Sequence, residues 1–98
     1  MAKAKDFVVV TTDNEKRGVF GGTLVKHSTK DGTATLKDAH MAVYWSSKTK
    51  GVLGLAAHGP QEGSKITPKI PEIELNGVTA VMKCTPAAKK QWKTEPWD

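Results

Sequence analysis

Hydrophobic residues fall in short runs, many with a period of two, punctuated by glycine, proline, asparagine and aspartate; that pattern predicts strands joined by turns. The first run, Phe7-Val8-Val9-Val10-Thr11-Thr12, is β-branched and almost continuously apolar, which predicts a strand buried on both faces. A polar loop follows over residues 13–18, holding the only adjacent Lys-Arg pair, Lys16 and Arg17. The next arm carries Gly21 and Gly22 between Phe20 and Leu24, where a regular strand would carry side chains. Such a pair predicts a bulge, a sharp bend or close approach by another backbone. Lys30-Asp31-Gly32 then supplies the Asp-Gly step that a type I′ hairpin turn favours. In the returning arm Ala34 and Leu36 alternate with Thr33, Thr35 and Lys37, so Leu24 and Leu36 share the expected core face. Beyond Asp38 and Ala39, the positions Met41, Val43 and Trp45 alternate with His40, Ala42 and Tyr44.

The second half is more broken. Residues 52–58 are apolar and predict about two turns of helix, with Ser47 or Thr49 as cap and Gly59-Pro60 as stop. Residues 65–71 alternate lysine outward with isoleucine inward, and Pro68 and Pro71 restrict them to an edge strand or an extended crossing. Asn76-Gly77 between apolar runs predicts a second hairpin. Thr85-Pro86 fits a helix cap and first turn, followed by Ala87 to Trp92 as helix, with Trp92 inward and Lys89, Lys90 and Lys93 outward. Trp92 and Trp97 are expected to anchor the end of the chain on the domain or on a neighbouring subunit. The predicted fold is mainly β (α+β), a bent antiparallel meander or SH3-like partial barrel with one short inserted helix and a short C-terminal one. It is one domain over 1–98, with residues 1–5 as a flexible leader and 93–98 as a tail.

Ninety-eight residues support a single core, and 38% hydrophobic with 26% charged residues is the balance of a globular chain. No apolar run approaches the ~18 residues that span a bilayer, and no secretory signal follows the lysine-bearing start. A single cysteine, Cys84, has no partner for an internal disulfide and is expected as a small buried hydrophobe. The net charge of +5 comes almost wholly from lysine and favours anionic partners through a long-range, salt-dependent field. Lysines dispersed along the chain also serve solubility, and bidentate phosphate or guanine reading would call for arginine, of which there is one.

Catalytic patterns are lacking. His27, His40 and His58 stand at no metal-ligand spacing, and the serines near Asp38 and His40 lack a nucleophile elbow. Lys48-Thr49-Lys50-Gly51 places lysine before glycine, the reverse of a phosphate-binding P-loop. Glu72 and Glu74 alternate onto one strand face with no other sign of a sugar cleft. The chain therefore reads as a binding protein rather than an enzyme, with no cofactor and no metal. His40, Tyr44 and Trp45 form an aromatic stretch suited either to stacking a nucleotide base or to a core or interface. Lys37, Lys48 and Lys50 flank it as candidate phosphate neutralisers.

The residues 18–24 (GVFGGTL), 36–39 (LKDA), 44–46 (YWS), Gly54-Leu55-Ala56 with Gly59, Cys84-Thr85-Pro86 with Ala88, and Pro96-Trp97 resemble a family of small domains of unknown function carried by tailed bacteriophages and bacteria. In that family arginines and a further tryptophan commonly precede the aromatic pair; here His40-Met41-Ala42-Val43 stands in their place. Gly18, Gly22, Leu24, Asp38 and Ala39 also match the outline of Sm-like barrels, although the asparagine of the Sm RNA pocket has no counterpart. The resemblances imply a phage context and subunits joined into a homo-oligomer. The expected function is capture of an anionic ligand, a signalling nucleotide or nucleic acid, in the cytoplasm of an infected bacterium, to counter host defence. The alternative is a virion decoration or assembly protein that uses the aromatic face and the C-terminal tryptophans as interface anchors.

Overall fold

A computed structural model describes residues 3–13 and 18–93. Six strands, β1 (Phe7–Thr12), β2 (Gly18–Ser28), β3 (Thr33–Tyr44), β4 (Lys65–Ile66), β5 (Ile70–Leu75) and β6 (Val78–Lys83), form an antiparallel sheet. Two helices, α1 (Gly51–Ala57) and α2 (Pro86–Lys93), lie after β3 and after β6. β1, β2 and β3 pair as a meander, β6 joins the outer edge of β1, and the long β3 takes β5 and β4 along its other edge. The sheet therefore runs from β5 through β3, β2 and β1 to β6, and the two strands at its ends are consecutive in the chain. It closes as a partial barrel.

The interior is filled by Val8, Val10, Leu24, Ala34, Leu36, Ala39 and Leu75, drawn from four strands, with Val78 and Val81 of β6 packed against them. The opposite face of the same strands presents Phe7, Val9 and Ala42, which α1 and α2 cover with Leu55, Ala56, Ala88 and Trp92. β1 runs between the two clusters, which is why Phe7 to Val10 are all buried, as their continuous apolarity predicts.

The paired glycines each accept a close neighbour. A Cβ on Gly21 would lie 2.8 Å from the Trp92 ring. One on Gly22 would lie 3.1 Å from the Ala39 Cα and the Lys37 carbonyl oxygen. Opposite Gly22 the register of β3 slips, with Gly21 against His40 but Thr23 against Lys37, and Asp38 takes a left-handed φ of 50°. This bulge lets both Leu36 and Ala39 point into the barrel and sends Lys37, Asp38 and His40 to its outside.

Several local expectations are corrected. The β2–β3 hairpin forms, but its loop is four residues long and only Gly32 is left-handed (φ 65°); Asp31 instead folds onto Ser28 Oγ through its N–H (3.2 Å) and side chain. A type I′ turn needs both central residues at positive φ, so that assignment fails. Asn76-Gly77 joins β5 and β6 without pairing them, because β5 bonds to β3 and β6 to β1. The connection serves closure: Val78 N–H donates to the Gly32 carbonyl (2.9 Å) and Asp13 N–H to that of Gly77 (3.0 Å). Neither Ser47 nor Thr49 caps α1, which begins from Lys50 at φ 68° after a 3₁₀ turn over Ser47–Thr49. Thr49 is fully buried and bonds Ser64 Oγ (3.2 Å) and the Gln61 N–H (3.0 Å), tying the helix entry to the loop beyond. The expected leader over residues 1–5 is held at its end, where Lys5 N–H donates to the Leu24 carbonyl at 2.8 Å. The Lys16-Arg17 pair and Trp97 lie outside the described residues.

Candidate anion-binding site

α2 begins where the sequence places it. Thr85 Oγ1 accepts the Ala88 N–H (3.1 Å) and donates to the Ala57 carbonyl (2.7 Å), so one hydroxyl caps α2 and closes the end of α1. At about 100° per residue, Ala88 and Trp92 share one face of the helix, and both are fully buried. The Trp92 indole N–H donates to the Leu55 carbonyl (3.0 Å), while its ring lies over Gly21 and 6.2 Å from the Phe7 and His40 rings. Trp92 is thus a staple within the chain, and the intermolecular role considered for it is closed by its burial.

With that face fixed, Lys89 and Lys93 fall on one flank of α2 and Lys90 at its crown. The flank of Lys89 and Lys93 borders a cleft of about 250 Å³ that Phe7, Thr23, Asp38, His40 and Lys69 also line. His40 is only 3% exposed, and its Nδ1 lies 3.0 Å from the Thr67 carbonyl oxygen. A carbonyl can only accept, so Nδ1 carries the hydrogen and Nε2 is the ring's remaining polar atom. Thr67 also holds the backbone of Met41 through its Oγ1 (2.9 Å) and its own N–H (3.0 Å), which fixes the strand just past the bulge. Across α2, Lys90 joins Lys48, Lys50 and His58 around a shallower depression of about 520 Å³. Lys48 sits 3.9 Å from Glu62, an exposed contact of little energetic weight. No ion pair links Lys50, Lys69, Lys89, Lys90 or Lys93 to another described residue.

The six residues expected to bind ligand are dispersed. His40 is in the cleft but buried against Trp92, so its face is not offered for stacking. Lys37 is exposed on β3 between Thr23 and Glu72, next to the cleft residues Thr23 and Asp38 but not itself lining either depression. Tyr44 is 56% exposed at the end of β3, opposite Lys65. Trp45 packs on the helix-side core and borders an apolar depression with Val19, Val43 and Val52. Only Lys48 and Lys50 remain together. Sequence reading missed Thr23, Asp38, Lys69, Lys89 and Lys93 as a set; the spacing of Lys89 and Lys93 about an inward Trp92 was the legible signal, and it read as a solvated face.

Cys84 closes β6 in the helix-side core, where burial pushes its thiol from an ordinary 9.0 up to about 12. It remains protonated and unreactive near neutrality. Among the described residues no group of histidine, cysteine, aspartate and glutamate is placed to hold a metal ion, and no helix is long and apolar enough to cross a membrane.

Fold and site together define a small mainly β domain, a partial barrel with two covering helices and a lysine-lined cleft beneath the second. The chain belongs to the family described as Domain of unknown function (DUF6948), whose match covers residues 5–92. Comparison with curated proteins and with solved structures finds no match.

Proposed function

We propose that this domain binds a phosphate-bearing ligand in the cleft beneath α2. The observation that carries this reading is the convergence of Lys69, just before β5, with Lys89 and Lys93 of α2 on one concavity, against the single carboxylate of Asp38 among the described residues that line it. Three ammonium groups in a partly enclosed space focus a positive potential that dispersed surface lysines do not. Thr23 and His40 add a hydroxyl and a ring nitrogen for orientation. The volume, about 250 Å³, suits a phosphate with an attached sugar better than a larger organic ligand. In the phage setting that the sequence resemblance implies, a signalling nucleotide or a nucleic acid would be the ligand captured, and its sequestration would blunt a host response.

Calorimetry at low salt with inorganic phosphate, adenosine monophosphate and cyclic nucleotides tests this. The expected result is binding of at least one of them by the native chain and its loss, by tenfold or more, in K69Q/K89Q/K93Q. Absence of binding across the panel overturns the reading.

A second reading, an assembly protein, draws on one observation: the half-exposed Val43 lines an apolar depression with Val19, Trp45 and Val52, and the next residues along the chain, Tyr44 and Leu53, are 56% and 73% exposed. Apolar side chains of that size grouped at a surface are the usual material of an interface between copies.

A further inference from the structure

Resting on the anion-binding reading, we infer that the ligand is a single-stranded nucleic acid whose phosphodiester backbone crosses over α2, with phosphates on both of its flanks. The cleft on one flank offers Lys69, Lys89 and Lys93, and the depression on the other offers Lys48, Lys50 and Lys90. Lys90, at the crown of the helix, lies between the two flanks. A compact anion fills the cleft alone and leaves Lys50 and Lys90 without a counter-charge among the described residues and Lys48 with only its exposed contact to Glu62. A chain of phosphates engages both.

The dimensions agree. A helix with its side chains is about 10–12 Å across, and bases stacked along a strand are spaced about 3.4 Å apart, so roughly three to four nucleotides cover the ridge. A single strand bends over such a ridge at little cost, whereas a duplex is stiff over about 150 base pairs. The chemistry of the face also sets what is read. All six cations are lysines, point charges that neutralise phosphate without the bidentate fork that reads guanine. Among the described residues the rings that line the cleft, Phe7 and His40, are buried, as is Trp92 beside them, so its walls offer no exposed stacking platform for bases. Binding follows the backbone, indifferent to sequence.

Fluorescence anisotropy with labelled oligo(dT) of twelve nucleotides, over a series of salt concentrations, measures this directly. The logarithm of the association constant should fall linearly with the logarithm of salt, with a slope near −4 for six phosphate contacts at about −0.7 each. K48E/K50E should weaken the oligonucleotide tenfold or more and leave adenosine monophosphate binding, which uses the cleft alone, unchanged. All positions are exposed, and thermal melting verifies that the variant folds. A twelve-base-pair duplex should bind at least fivefold more weakly than the single strand. If adenosine monophosphate binds but K48E/K50E leaves the oligonucleotide unaffected, or the duplex binds more tightly, the crossing strand is overturned while the cleft stands. If neither mononucleotide nor oligonucleotide binds, both readings fall.

Discussion

Asp38 is the residue on which the cleft's electrostatics turn. Its left-handed φ of 50° is one that aspartate and asparagine tolerate better than most side chains, and its carboxylate is the one negative group among the described residues lining the cleft. Asp38→Asn keeps the backbone preference and removes that charge. It should tighten binding of a phosphate ligand by about two- to fivefold, the scale of one unit charge at partly solvated distance, read by calorimetry. Unchanged or weaker binding would place the phosphate away from Asp38. His40 shows the opposite lesson. An ionisable residue sharing a strand face with Ala42 and Tyr44 reads as the edge of an exposed face, yet α2 covers it and Thr67 fixes its ring. Whether a strand face meets solvent or a distant helix is a tertiary fact, and the period of two carries no trace of it.

At the scale of elements, β2 and α2 are made for one another. Trp92 reaches the sheet because Gly21 has no side chain, and β3 bulges because Gly22 has none. Alanine at either site meets a buried ring or backbone that has to move, so Gly21→Ala and Gly22→Ala should each cost about 1–3 kcal/mol, measured by urea unfolding of the intact chain. Neutral substitutions would show that neither close approach is needed. Glycines at 21 and 22 were legible as a bend or a close approach, as were the strand doubly buried at Phe7 to Val10 and the cap at Thr85. The turns were less so. Asp31-Gly32 and Asn76-Gly77 both promise tight hairpins, but the first widens to a four-residue loop and the second joins strands that pair elsewhere. A local dipeptide preference is worth less than the hydrogen bonds and barrel packing that a whole strand gains from another register.

At the scale of the molecule, a net charge of +5 that looked evenly spread along the chain is gathered in space. Six lysines from the 3₁₀ turn, the approach to β5 and α2 come to the two sides of one short helix. Two of them, Lys48 and Lys50, stand beside Tyr44 and Trp45 in the sequence, but Trp45 borders a separate, apolar depression and Tyr44 lines neither. The domain's mainly β character was readable from composition and period; the cleft was not, because residues 23, 38, 69, 89 and 93 meet only once the barrel has closed.

Two-dimensional amide NMR of the native chain, titrated at low salt with a short oligo(dT), tests the central claim most directly. Saturable shifts should cluster at Thr23, Asp38, His40, Lys69, Lys89 and Lys93 and extend to Lys48, Lys50 and Lys90. Shifts confined to the apolar surface around Val43, Tyr44, Trp45 and Leu53, or an unchanged spectrum, would contradict it.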